Sequence, residues 1–204
     1  MKILVFGGTG DVGKEIVTKL LKEGKYVSVL TRQMMDSTEK LKYITGNVLD
    51  YNTVENCIEE TDQVIITLGF NNSDADTMSR GTKNILTAMK IKNSKRLICL
   101  SAQGAGDSWK YMPDEFKEMV KNDPVLKASF HDHSLQEEFV KASNLEWTIV
   151  RPTEIMDTPE AKTFARNRPN KESVFQISKY DVAQFIIDEL TSVEYLHQAV
   201  MITN

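Results

Sequence analysis

Cysteine is scarce in this chain: two residues in 204, Cys57 and Cys99. Both sit in apolar surroundings at no metal-ligand spacing, which excludes a disulfide framework and a zinc module. Buried free thiols in a reducing, cytoplasmic compartment are expected instead. Histidine is scarce too. Of the three, His131 and His133 are one residue apart and point in different directions on a helix, while His197 is remote, so no metal site is expected. Basic charge is not in surplus: 25 Lys and Arg face 29 Asp and Glu, a formal net charge of -4, whereas a nucleic-acid surface needs a concentrated excess of cations. Long apolar runs are missing as well. The first, Ile3 to Phe6, is too short for a signal peptide or a membrane span and reads as a strand, so no membrane partner is expected. No repeat, low-complexity tract or linker interrupts the chain, and 1-204 reads as one domain, with monomer and homodimer both open.

What is present is alternation. Strand-like runs at Ile3–Phe6, Tyr26–Leu30, Tyr43–Ile44, Val64–Leu68, Leu97–Leu100, Thr148–Val150 and Val200–Ile202 are separated by helix-like stretches. In the first of these Val12, Ile16, Val17, Leu20 and Leu21 share one face, and Gly24 supplies a stop. Thr82–Lys90, Ser134–Ala142 and Val182–Leu190 are spaced the same way. The pattern predicts an α/β fold, a Rossmann-type doubly wound parallel sheet in a single three-layer domain. One region, Gln103 to Phe130, reads as irregular because it mixes glycines, aromatics, Pro113 and Pro124 after the fifth strand. Ligands bind at the carboxyl ends of such strands, so it is expected to be a substrate loop, around 103-130.

Between the first strand and the first helix lies GGTGDVG, residues 7 to 13. A pyrophosphate can lie on a helix N-terminus only where no side chain blocks the main-chain N–H groups. In Gly8-x-Gly10-x-x-Gly13 the first glycine is expected to permit the tight turn, the second the approach of pyrophosphate, and the third close helix–strand packing. A NAD-preferring site places a carboxylate at the end of the second strand, but this chain has Thr31-Arg32-Gln33 there. A guanidinium forks onto a phosphate, so Arg32 favours NADP, with Lys40 a possible assistant and Asp36 an alternative ribose ligand.

At this point the chain resembles the atypical short-chain dehydrogenase/reductase families, and within them the flavin/biliverdin reductase B-like group. The resemblance runs almost end to end. It is carried by GGTGDVG, by TR at 31–32, VIITLG at 64–69, GTKNILTAMK at 81–90, SA at 101–102, HDH at 131–133, and ISKYDVAQFIIDELTSVEY at 177–195. It implies an NADPH-dependent reductase of flavins such as FMN, or of a similar planar acceptor, a quinone or a linear tetrapyrrole. Carried over by position, Gly7, Thr9, Gly10, Asp11, Val12 and Gly13 hold pyrophosphate, Arg32 the 2'-phosphate, and Asn47 and Val48 the adenine. Leu68 and Gly69 lie beside ribose and nicotinamide, and Ser101 and His133 border nicotinamide and substrate. Asn47 stands where many relatives have aspartate, and Glu154 where the biliverdin group tends to carry histidine.

The usual catalyst of carbonyl-reducing members, Tyr-x-x-x-Lys, is missing: none of the six tyrosines has lysine four residues on. A planar conjugated acceptor, which delocalises the incoming charge, is therefore expected rather than a simple ketone. The same lack motivates an alternative, a non-catalytic NADP-binding redox sensor resembling the NmrA-like regulators. Ser101 is read as a nicotinamide-orienting hydroxyl or a plain turn serine, and His133 as a pocket residue or, with Asp132 or Ser134, part of a helix cap. Trp109 and Tyr111 either flank the acceptor or pack the loop, and Thr153 or Glu154 is a candidate to face the pocket.

Overall fold

The structure, a computed structural model, describes residues 2–58, 63–71, 74–161, 165–166 and 176–204. In the first strand, β1 (Lys2–Phe6), Ile3 and Val5 bury on one face while Leu4 and Phe6 bury on the other. A strand that is apolar on both faces belongs inside a parallel sheet covered by helices on both sides. That is where β1 lies. It pairs in parallel with β2 (Tyr26–Thr31) on one side and β4 (Gln63–Ile66) on the other. Beyond them come β3 (Leu41–Thr45), β5 (Arg96–Leu100), β6 (Glu146–Pro152) and, last in the chain, β10 (Gln198–Thr203), giving the parallel order β3-β2-β1-β4-β5-β6-β10. A short strand β8 (Ala165–Arg166) runs antiparallel to β10 at the edge, and β7 (Glu154–Met156) pairs with β9 (Gln176–Ser178) in a small separate sheet. The seven parallel strands match the seven expected runs.

Helices α1 (Asp11–Lys22) and α6 (Lys179–Ser192) cover one face, and α2 (Tyr51–Cys57), α3 (Thr77–Ile91) and α5 (Pro124–Ala142) the other. Gly24 ends α1 with a φ of +76°, as its position predicts. The two thiols, Cys57 and Cys99, are both buried and unbridged, and burial raises that of Cys57 to about 11. Neither is a reactive thiolate.

The stretch after β5 departs from expectation. Residues 103–130 are largely helical: a 3-10 turn at Gly106–Tyr111, α4 (Asp114–Asn122), and the first turns of α5, which begins ten residues before Ser134. The two prolines that helped this region read as irregular are helix starters. Pro113 is the N-cap of α4, and Pro124 opens α5 behind Asp123, whose carboxylate accepts from the Val125 and Leu126 N–H groups at 2.8 and 3.1 Å.

Candidate dinucleotide site

Strand order reverses at β1, whose neighbours β2 and β4 lead away in opposite directions, and the carboxyl ends of these strands frame a cleft of about 450 Å³. Its floor is the turn after β1. Gly7 makes that turn, with φ at +87° and the space of a Cβ occupied by the Thr67 carbonyl oxygen at 2.3 Å. The tight turn expected of Gly8 is thus made one residue earlier, and Gly8 instead packs against the Val29 and Val17 side chains. Gly13 has its expected role, since a Cβ there would lie 2.2 Å from the Gly7 carbonyl oxygen.

Gly10 is different. Among the described residues its only near neighbour would be the Gly7 carbonyl oxygen at 3.4 Å, ordinary contact, so the fold itself does not demand a glycine. It is the N-cap of α1, it offers no side chain to the first-turn N–H groups, and it lines the cleft. A bare N-terminus of a twelve-residue helix opening onto a cleft fits a phosphate pair.

The cleft gathers Gly7, Thr9, Gly10, Arg32, Asn47, Val48, Leu68 and Gly69 of the expected cofactor residues. Asp11, Val12 and Gly13 form the first turn of α1 behind it. Arg32 is exposed on the lip, and among the described residues no carboxylate pairs with it. Asn47 accepts the Leu49 N–H through Oδ1 at 3.0 Å, which leaves its amide nitrogen for a ligand, while Asn84 pins the loop by donating to the Val48 carbonyl at 3.0 Å. Sequence reasoning missed the far wall, Thr67, Phe70, Asn71, Asp74 and Thr77, from the segment joining β4 to α3. A signal was there, in a polar stretch directly after a strand end, but no motif marks it.

Ser101 and His133 do not line this cleft. The Ser101 hydroxyl donates to Glu137 Oε1 at 2.8 Å; the same carboxylate accepts from Arg151 Nε at 2.8 Å and Lys141 Nζ at 3.1 Å. Arg151 also reaches Asp107 in the turn after β5. Burial would raise the Glu137 carboxyl, but the Arg151 guanidinium and the Ser101 hydroxyl outweigh it and hold it below its usual range. Glu137 is therefore a carboxylate that only accepts, and the Ser101 hydrogen is spent on it. His133 lies mid-helix in α5, four residues before Glu137; burial pushes its pKa down, and its Nδ1 has no hydrogen-bond partner among the described residues. Its neighbour Asp132 is a cap, but of α3: its carboxylate accepts the Met78 and Ser79 N–H groups at 2.9 and 3.0 Å.

Trp109 packs against Phe116 and Phe130, with ring centres 6.4 and 6.2 Å apart, while Tyr111 is exposed with Lys110 over its ring. Thr153 bonds Thr203 at 3.2 Å and Glu154 is exposed beside Gln176, so neither lines the cleft. No tyrosine or lysine is among the residues lining it. No helix among the described residues is long and apolar enough to cross a membrane.

Known proteins share this fold. The fold matches the oxidoreductase ylbE of Lactococcus lactis (TM-score 0.86, 19% identity, 100% of this chain and 91% of that one). It also matches ChuY, an anaerobilin reductase of Escherichia coli O157:H7 (0.84, 20%, 100% and 97%). A Veillonella parvula short-chain dehydrogenase/reductase solved in complex with NADP is equally similar (0.84, 19%, 100% and 94%). In sequence, the chain is 26% identical to eugenol synthase 2 of Clarkia breweri over 165 residues, 73% of this chain and 47% of that protein. It is 25% identical to the photosystem II assembly factor Ycf39 of Trieres chinensis over 160 residues, 74% and 45%. The chain thus spans about half the length of the curated relatives it matches. The NAD(P)H-binding family model matches residues 7–192, from the glycine turn to the end of α6. Cleft geometry and family match agree, and the chain belongs to the NAD(P)H-binding family.

Proposed function

We propose that the protein is an NADPH-dependent reductase acting on a flavin such as FMN or on a similar planar acceptor, a quinone or tetrapyrrole. One observation carries the reading: a helix start bared by Gly10 and a guanidinium without a partner among the described residues, Arg32, border the same cleft. The helix N–H groups suit a pyrophosphate and Arg32 a further phosphate, which is the difference between NADP and NAD. Bound there, NADPH supplies a hydride.

The chain's own residues then bind and orient rather than donate protons. Val48 forms an apolar wall and Asn47 offers an amide for the base, while Leu68 and Gly69 leave backbone exposed beside it. Neither Ser101, whose hydrogen is held by Glu137, nor His133, whose pKa desolvation lowers and which lies outside the cleft, is set up as an acid. An acceptor that spreads the incoming charge over a conjugated ring needs positioning, with reacting atoms roughly 3–3.5 Å apart, and no acid from the protein. The names of two fold neighbours, an oxidoreductase and an anaerobilin reductase, and the NADP complex of a third, support this direction.

The sealed Ser101 also favours a second reading, a non-catalytic NADP-binding redox sensor, and one relative bears the name of an assembly factor. Mixing the protein with NADPH or NADH and a panel of FMN, riboflavin, quinones and biliverdin separates the two. The reductase consumes NADPH with at least one acceptor and prefers it to NADH. Tight NADP binding with no turnover across the panel would leave the sensor, and absence of NADP binding would remove both.

A further inference from the structure

At the opposite end of the sheet from the dinucleotide cleft, between the last turns of α3 and α5, lies a second cavity of about 600 Å³, within the size range of small-molecule sites. Leu86, Met89, Phe139 and Leu145 give it an apolar wall, and three lysines, Lys83, Lys90 and Lys95, stand around it. Lys83 lies 5.8 Å from the centre of the Phe139 ring. Among the described residues none of the three meets a carboxylate. Lys90 sits in the last turn of α3 and complements that helix's dipole, but Lys83 is further back in the helix and Lys95 lies beyond it. Against the three stands a single acidic lining residue, Glu146, so this wall is positive in a chain whose net charge is -4.

One lining residue carries a buried group with no partner among the described residues. Helix α3 closes with Lys92 as C-cap, Asn93 at a φ of +57°, and the Ser94 N–H donating to the Met89 carbonyl at 3.0 Å. The residue in the Ser94 position of such a closure commonly packs an apolar side chain back on the helix. Here it is a serine, 6% exposed and bordering the cavity, whose hydroxyl has no hydrogen-bond partner among the described residues. A buried hydroxyl left unpaired costs stability, and a ligand atom would satisfy it.

We infer that this cavity binds a small carboxylate-bearing amphiphile, its alkyl or ring portion on the apolar wall and its carboxylate held by the lysines and the Ser94 hydroxyl. A concave site with a buried hydroxyl in its lining suits a small molecule better than the flatter face of a protein partner. A second copy is disfavoured, because a two-fold contact here would press one lysine rim against another.

Calorimetric titration of octanoate into the full chain, with octanol and inorganic phosphate as controls, tests the site independently of the dinucleotide reading. Saturable octanoate binding is expected, about tenfold tighter than either control, since one charge-assisted contact and one apolar wall are each missing from a control. Ser94→Ala should weaken octanoate about fivefold, the loss of one hydrogen bond, while melting no lower than the parent. Lys95→Gln should weaken it comparably, and gives a second variant should the first fold poorly. The inference is overturned if octanoate does not saturate, if octanol binds as well, or if neither substitution changes affinity. Failure of octanoate to bind, together with a dimer in light scattering that Lys95→Glu dissociates, would assign the face to a second copy instead.

Discussion

Two arginines at the carboxyl ends of β2 and β6, with three strands of the sheet between them, have opposite fates. Arg32, just past β2, is exposed and has no partner among the described residues. Arg151, on β6, is 3% exposed, clamps Glu137 with two nitrogens and reaches Asp107 with one of them. The same contrast separates their surroundings. Around Arg32 the main chain is bare and a helix start is uncapped, whereas around Arg151 the serine, glutamate and lysine all spend their hydrogen-bonding capacity on each other. Unspent polar capacity bordering a cleft marks where a ligand belongs. Fully spent capacity marks structure.

The sharpest way to test the sealed side is to remove its anion. Glu137→Ala leaves a buried guanidinium short of its main partner, and a loss of about 3–5 kcal/mol is expected in urea unfolding. Pairing it with Arg151→Met should recover much of that loss, because the cost lies in the orphaned charge rather than in the missing pair. A loss near zero for Glu137→Ala would mean that water reaches this cluster and that the two sides of the sheet do not differ as described.

On the open side the glycines divide the effect. Gly10→Val has room for its Cβ, so the fold should persist while NADP affinity falls about a hundredfold or more through lost contact with the helix N–H groups. Gly13→Val places a Cβ on the Gly7 carbonyl oxygen and should instead unfold the turn. Equal melting temperatures for the two variants would remove the distinction. Arg32→Ala is the next step down: a loss of about ten- to a hundredfold for NADPH, the worth of hydrogen bonds to a charged group, with NADH nearly unchanged. Parallel losses for both nucleotides would show that Arg32 does not read the extra phosphate.

These residues also show what the sequence discloses and what it hides. The glycine turn and Arg32 were legible because each is local: a ligand-facing backbone must be bare, and a strand end has a fixed place in the sheet; the Asn47 and Leu68 segments were reached only through the family resemblance. The central parallel strands were legible for the same reason, since apolar runs buried on both faces have few alternatives, and the edge strand β3 showed only the short run Tyr43–Ile44. The Ser101–Glu137–Arg151 cluster was not. Its members come from β5, α5 and β6, separated by up to fifty positions, and Glu137 looks like any solvated helix glutamate until α5 is packed. Asp132 hid in the same way, as a cap for a helix more than fifty residues earlier. The prolines of 103–130 misled because proline stops a helix from within yet opens one at its first turn, and local composition does not say which.

The smallest effect comes from the one imidazole on the sealed side, and its sign follows from burial. Desolvation lowers the His133 pKa below its ordinary value near 6.5, so the unfolded chain binds a proton that the folded chain resists. Stability is then intact above about pH 6.5 and declines as pH falls through the folded pKa. Glu137 and Asp107 are both held below their ordinary values near 4.5 and 3.8, and therefore add their own losses only at lower pH. The first decline, beginning below about pH 6.5, belongs among the described residues to His133 if the ring is desolvated as the structure has it. Replacing it with glutamine, which cannot take up the proton, should flatten urea midpoints across that window and leave the more acidic decline in place. A variant with the parent's slope from pH 7 to 5 would show that the ring titrates in water, and the sealed side would then end short of α5's middle turn.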